Sequence, residues 1–325
     1  MRPGSLDPRS ELADAHERCG RTPYRGRFAP SPTGPLHFGS LVAALGSYLD
    51  ARAAGGDWLV RIEDLDHHRE MPGAAAGLLR TLERFGLHWD GAIVYQRQRL
   101  SLYQDALADL RRRGRAYPCG CSRKEIAANA RSGPEGPVYP GTCRTGPPPG
   151  RGARTLRIRA PAGEIAIEDR IQGRVALDVH AELGDFVIHR ADGIPAYQLA
   201  VVVDDAAQGI TQIVRGADLL LSSLRQRILR QALNLPCPSL AHLPIVLDSQ
   251  GRKLSKSDSA RPLDASDPLP SLGRAWGFLG QMPLPRELDR LEDFWSFAIA
   301  HWSPARIPTG SAGFTVFSSR GRTLA

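Results

Sequence analysis

The stretch from Arg27 to Leu41, RFAPSPTGPLHFGSL, limits the folds open to this chain more than any other. Phe28 and Ala29 open it with the apolar character of a short buried strand. Pro30, Pro32, Gly34 and Pro35 then exclude any regular element through its middle. From Leu36 onward apolar residues recur at Leu41, Ala44, Leu45, Tyr48 and Leu49, the spacing of one helical face, until Gly55 and Gly56 end the run. The order is strand, rigid turn, helix. A helix that starts directly after such a turn presents unbonded N–H groups and its positive dipole end to the mouth of the turn, a favourable place for phosphate. His37 is expected at that mouth.

The segment 57–66, DWLVRIEDLD, supplies a second strand through Trp58, Leu59, Val60 and Ile62, with Glu63, Asp64 and Asp66 at its C-terminal end. Strand, helix, strand is a βαβ unit of a parallel sheet, where ligands gather beyond the carboxyl ends of the strands. The turn at 30–35 and the acids at 63–66 are therefore expected on one edge. Periodicity predicts further helices over 74–85, 100–113, 219–232, 270–280 and 285–300. Buried strands are expected over 197–203, closed by Asp204 and Asp205, and over 212–214. Before them an insertion alternates apolar and polar residues over 155–159, 164–168 and 174–178. The runs 186–190 and 194–199, split by Ala-Asp-Gly, read as a hairpin. The Pro/Gly-rich run 132–152 leaves no room for a regular element of any length. The expected layout is a catalytic nucleotide-binding fold over 23–114 and 195–247, an inserted subdomain over 115–194, a basic loop and helical region over 248–308, and flexible ends at 1–22 and 309–325.

At 325 residues, 42% hydrophobic and 23% charged, the composition is that of a globular protein. A net charge of +8 favours an anionic partner, nucleic acid first. No run approaches the roughly 18–20 apolar residues of a membrane helix, and residues 1–22 lack a signal-peptide core. No membrane partner and a cytoplasmic location are expected. Five cysteines in that setting do not suggest disulfides. Cys119, Cys121 and Cys143 cluster in a loop with little core of its own; three soft ligands suit zinc, which would organise it. Cys19 and Cys237 have no partners at ligand spacing.

Only Lys124, Lys253 and Lys256 are lysines, and the last two fall in Lys253-Leu-Ser-Lys-Ser257. A lysine is a compact charge on a flexible stem, suited to following a phosphate whose charge grows during reaction. Paired with the first turn, this loop resembles the second signature of class I aminoacyl-tRNA synthetases, and His37-Phe-Gly-Ser40 resembles the first. RFAPSPTG, VRIEDLD and Val214-Arg-Gly-Ala-Asp218 are similar to the glutamyl rather than the glutaminyl branch, which would carry Glu at Ser31 and a second His at Ser40. Too few residues follow the lysine loop for the helical anticodon-binding domain of an ordinary glutamyl-tRNA synthetase. The resemblance is thus to the truncated glutamyl-Q tRNA(Asp) synthetase family.

That resemblance implies an α/β fold: a Rossmann-type parallel sheet, an inserted zinc-containing α/β subdomain, a short helical C-terminal region and no anticodon-binding domain. It implies ATP-dependent activation of L-glutamate without tRNA, then transfer of glutamate to the queuosine base of tRNA(Asp), by a monomer. Glutamate needs cations for two carboxylates and an anion for its ammonium. Arg27 and Arg215 are the expected cations, either able to meet either carboxylate, and Glu63 the anion. Phe28, Ala29, Pro30, Ser31 and Tyr197 are implied to contact the amino acid. His37, Gly39, Ser40, Lys253, Ser255 and Lys256 are implied to bind ATP, with His37, Lys253 and Lys256 acting in catalysis and magnesium accompanying ATP. One structural zinc would be held by Cys119, Cys121 and Cys143, with Tyr139 supplied as fourth ligand by the family pattern. Other readings are a shortened synthetase charging a tRNA 3′ end, a small-molecule nucleotidyltransferase, and a non-enzymatic RNA-binding protein.

Overall fold

The computed structural model describes residues 23–247 and 262–309. The first half of the chain forms β1 (Arg25–Phe28), α1 (Phe38–Ala53), β2 (Asp57–Ile62), α2 (Ala74–Arg84), β3 (Val94–Tyr95) and α3 (Leu100–Arg112). The middle forms β4 (Ala116–Cys119), α4 (Arg123–Asn129), β5 (Arg131–Gly133), β6 (Gly136–Val138), β7 (Thr155–Ile158), β8 (Glu164–Asp169), β9 (Gly173–Asp178) and β10 (Val187–His189). Then follow α5 (Tyr197–Ala207), β11 (Gln212–Gly216), α6 (Leu220–Leu233), β12 (Ser239–Leu243), α7 (Leu269–Phe278) and α8 (Leu291–His301).

The β1–α1–β2 unit is present. β1 and β2 run parallel with Arg27 opposite Leu59, and β2 runs parallel to β3 with Ile62 opposite Tyr95. β11 and β12 are parallel from Gln212–Ser239 to Gly216–Leu243, and β8 joins β12 at Asp169–Leu240. The Thr211 N–H donates to the Arg25 carbonyl at 3.0 Å, so the two parallel groups meet at β1 and β11. Helix α1 lies hard against β12: a Cβ on Gly46 would come within 2.6 Å of Leu243 Cδ1, so any larger residue would force that side chain to shift. Its buried face packs into one core with Phe28, Trp58, Leu78, Trp276 and Phe294, which brings α7 and α8 onto α1. A second core joins α3, α5 and α6 to β7 and β10 through Leu102, Tyr103, Ile158, Ile188, Leu199 and Leu224.

Four expectations are corrected. Residues 197–203 form helix α5, not a strand. The β-branched run Val201–Val203 mimics a buried strand, but Leu199–Ala206 is buried on every side, so no polar face revealed the helical period. The second arm of the 186–199 hairpin is correspondingly short: the chain turns, forms one bridge from His189 to Pro195, and becomes helical at Tyr197. The Pro/Gly-rich run is not wholly irregular, because β5 and β6 pair antiparallel across a turn that Gly136 completes at φ 107°. Helix α8 also begins later than expected, at Leu291. The expectations for residues 1–22, for 248–261 and for 310–325 lie outside the described residues.

Candidate active site

The turn after β1 is bound to the end of β2. The Glu63 N–H donates to the Pro30 carbonyl and the Met71 N–H to that of Pro32, each at 3.0 Å. Gly34 sits at φ 141°, a conformation other residues rarely adopt. His37 is the N-cap of α1, and its Nδ1 accepts from the Ser40 N–H at 3.4 Å. With Nδ1 an acceptor, the neutral ring carries its proton on Nε2, a donor. No acid occupies the first turn of α1, so its positive end is uncompensated by the helix itself. His37 also bridges to Pro262, and the Leu263 N–H donates to the Leu36 carbonyl at 3.1 Å.

Beyond the ends of β1, β2, β11 and β12 lies a cavity of about 610 Å³. Its wall includes Arg27, Phe28, Ala29, Pro30 and Ser31 from β1 and the turn, and His37, Gly39 and Ser40 from the start of α1. Glu63, Tyr197 and Arg215 complete the amino-acid residues named from sequence, so the structure brings all of these together. Lys253, Ser255 and Lys256 lie outside the described residues. Val246, on the cavity wall, and Pro262, bridged to His37, bracket the segment that contains them.

Arg27 and Arg61 are buried and held by acids, whereas Arg215 is held by neutral side chains. Arg27 Nε donates to Asp205 Oδ1 at 3.2 Å, and Arg61 Nη1 donates to the same oxygen at 2.8 Å. Arg61 Nη2 reaches Glu63 Oε1 at 3.3 Å. Burial pushes the Glu63 carboxyl up, against the pull of Arg61 and Arg27. Desolvation and Glu63 push the Tyr197 phenol up to about 12, so it is a neutral hydroxyl at pH 7. Arg215 is 5% exposed. Its Nε donates to His242 Nε2 at 3.1 Å, and its Nη2 donates to Ser223 Oγ at 2.7 Å and Gln226 Oε1 at 2.8 Å. Its Nη1 has no hydrogen-bond partner among the described residues. Sequence reasoning missed Arg61, Asp169 and His242, and took Asp204 and Asp205 as a strand ending. An Arg between Val60 and Ile62, and an acid pair inside an apolar run, were the available signals of buried charge pairing.

Away from this cavity, Cys119, Cys121 and Cys143 place their sulfurs within 4.8 Å of one another and could hold a metal ion. Tyr139 Oη lies 3.3 Å from Cys119 Sγ and 3.5 Å from Cys121 Sγ. Arg157 Nε donates to Cys119 Sγ at 3.3 Å, and its guanidinium stacks over the Tyr139 ring at 3.9 Å. Burial pushes the Cys119 thiol up, but Tyr139 and Arg157 outweigh it and bring it down to about 7, which favours the thiolate a metal needs.

Residues 24–267 match the family described as tRNA synthetases class I (E and Q), catalytic domain. Relatives named glutamyl-Q tRNA(Asp) synthetase include one from Chromobacterium violaceum, 54% identical over 88% of this chain and 96% of its own length. Another, from Neisseria gonorrhoeae, is 49% identical over 88% of this chain and 97% of its own. The solved structure of a glutamate tRNA ligase from Elizabethkingia meningosepticum, in complex with its amino acid, matches at TM-score 0.71 and 26% identity over 87% of this chain. Glutamate-tRNA synthetase from Elizabethkingia anophelis matches at TM-score 0.72 and 26% identity over 89% of this chain. The chain spans 65% and 68% of those two proteins. Identity of this order over nearly the full length of the relatives leaves one assignment: the chain belongs to the glutamyl-Q tRNA(Asp) synthetase family of class I synthetases, and is a ligase of the aminoacyl-tRNA synthetase type.

Proposed function

We propose that the cavity activates L-glutamate with ATP, without tRNA, and that the glutamate is then passed to the queuosine base in the anticodon loop of tRNA(Asp). The observation that carries the first step is Arg215. A buried guanidinium with one nitrogen unpaired among the described residues is costly unless a ligand supplies an acceptor, and a carboxylate is its best match. Arg27 offers a second cation and Glu63 an anion on the same wall. The transfer step rests on the name that the relatives carry.

In this reading a glutamate carboxylate oxygen attacks the α-phosphorus of ATP; the bond to the β-phosphate oxygen breaks and pyrophosphate leaves. Such chemistry needs alignment and charge stabilisation more than a proton-transferring residue. Residues 28–31 line the amino acid beside Tyr197. His37 Nε2 and the start of α1, at Gly39 and Ser40, bind the triphosphate. Lys256 stabilises the departing pyrophosphate, with Lys253 and Ser255 assisting. Magnesium accompanies ATP and offsets its charge. Purified protein should catalyse ATP–pyrophosphate exchange that requires glutamate and no tRNA; absence of exchange with every amino acid would overturn the reading. Product mapping that found glutamate on the terminal ribose would replace the transfer step by ordinary charging. Lys256→Ala should lower kcat about a hundredfold while changing the glutamate KM little. Equal losses in both would remove Lys256 from this role.

The same reading gives the cysteine cluster one structural zinc, held by Cys119, Cys121, Cys143 and Tyr139. Zinc–sulfur bonds of about 2.3 Å set tetrahedral neighbours about 3.8 Å apart. The contacts of 3.3–3.5 Å among these donors support that fit. Elemental analysis should find about one zinc per chain, lost in Cys143→Ser together with hydrogen-exchange protection around β4 and β7. Protein free of zinc with that protection intact would count against the site.

A further inference from the structure

We propose that Asp169 and His242 are positioning residues for the amino acid: Asp169 fixes the ring tautomer of His242, whose Nε2 lone pair then fixes the guanidinium of Arg215. The inference rests on the reading of Arg215 as a glutamate-binding cation. It is carried by geometry. Arg215 and His242 are register partners on β11 and β12, and both side chains are buried. An arginine Nε–H can only donate, so the 3.1 Å contact to His242 Nε2 requires that nitrogen to be the acceptor. The ring proton of the neutral imidazole is then on Nδ1, 2.6 Å from Asp169 Oδ2. Asp169 is committed as an acceptor. Its Oδ1 takes the backbone N–H groups of Ile171 at 3.0 Å, Gln172 at 2.8 Å and His242 at 3.1 Å, leaving Oδ2 to the ring.

The charged groups around the ring agree with a neutral His242. Asp169 faces it from β8 and Arg215 from β11, and Arg27 on β1 adds to the positive field. Burial pushes the imidazole down, and the two arginines oppose protonation further, against the pull of Asp169. Protonation would also set one N–H against another at 3.1 Å, leaving Ser223 Oγ, at the same distance from Nε2, as the sole acceptor among the described residues for that proton. The opposite edge of the guanidinium is held from α6, where Ser223 Oγ also lies 3.1 Å from His242 Nε2. Ser223 and Gln226 accept from Nη2, and Gln226 Nε2 donates to Gln198 Oε1 at 3.0 Å, next to Tyr197. With Nε and Nη2 held, the Nη1 edge alone is left for a ligand. Asp169 closes β8, so a strand from the insertion sets the orientation of an amino-acid-binding cation in the parallel sheet.

Three variants separate orientation from bulk structure. In His242→Gln the longer side chain can place an oxygen acceptor near the Nε2 position; the glutamate KM in ATP–pyrophosphate exchange should stay within about threefold of wild type. In His242→Asn the amide reaches only the Nδ1 position, and in Asp169→Asn the amide N–H₂ drives the ring proton to Nε2, against Arg215. Both should raise the glutamate KM roughly tenfold or more, with the ATP KM within about twofold. Equal KM changes in His242→Gln and His242→Asn, or parallel changes for ATP, would mean a structural role only and overturn the proposal. ¹⁵N NMR of the wild-type ring reads the tautomer without any variant: protonated Nδ1 is expected, and protonated Nε2 would overturn the proposal even if every variant failed to fold. Wild-type protein with no glutamate-dependent exchange would instead sink the functional reading, while the NMR result would still stand on its own.

Discussion

Arg215→Ala is expected to raise the glutamate KM of ATP–pyrophosphate exchange by about 10²–10³-fold, with the ATP KM changed no more than a few-fold. The size follows from burial. Arg215 is 5% exposed, and its Nε and Nη2 are already spent on His242, Ser223 and Gln226. A carboxylate meeting the remaining edge would do so out of bulk water, where removing one partner of a charge pair costs about 3–5 kcal/mol. Arg215→Lys should recover little, because an ammonium lacks the planar fork that holds three neighbours and still offers an edge. An alanine variant that lost ATP and glutamate affinity alike, or kept its glutamate KM, would remove Arg215 from the amino-acid pocket.

The same residue shows what could be read from the sequence. The Pro/Gly turn, His37 and the acids after β2 were legible because local chemistry fixes them: proline and glycine exclude regular structure, and a βαβ unit puts strand ends on one edge. Arg27, Glu63 and Arg215 could be named because each closes a strand beside a recognisable motif. The cysteine cluster was legible for a similar reason, since C-x-C with a later Cys needs no knowledge of the fold. Helix α5 was not legible. Its valines carry strand character, and what makes it a helix is burial on every side by partners distant in sequence. Asp204 and Asp205 were misread for the same cause. Within α5 they face inward, where Asp204 accepts from Gln96 and Tyr103 at 2.8 Å each, and Asp205 meets Arg27 and Arg61. Nothing near them in the chain names those partners.

Asp205→Ala is accordingly expected to cost about 3–5 kcal/mol of stability. Asp205 is fully buried, and its two oxygens face Arg27, Arg61 and Arg230, the last at 3.5 Å. Removing the carboxylate leaves Arg27 and Arg230 without this counter-charge and Arg61 with only Glu63 and Asp204, and the melting temperature should fall on the order of 5–15 °C. Desolvation pushes the Asp205 carboxyl up, but Arg27, Arg61 and Arg230 outweigh it and hold it well below the usual carboxylate range. The unfolded chain, with an aspartate pKa near 3.9, therefore binds this proton first as the pH falls. The stabilisation is complete above about pH 5 and is lost as the pH drops through 3.9 toward the lower folded value. Asp205→Asn keeps the shape, removes the charge and no longer titrates, so its stability should fall less steeply than wild type from pH 5 downward. Urea-unfolding midpoints at several pH values, for wild type and both variants, measure each term. An alanine variant within about 2 °C of wild type, or an asparagine variant with the wild-type acid slope, would show that the three arginines are compensated elsewhere.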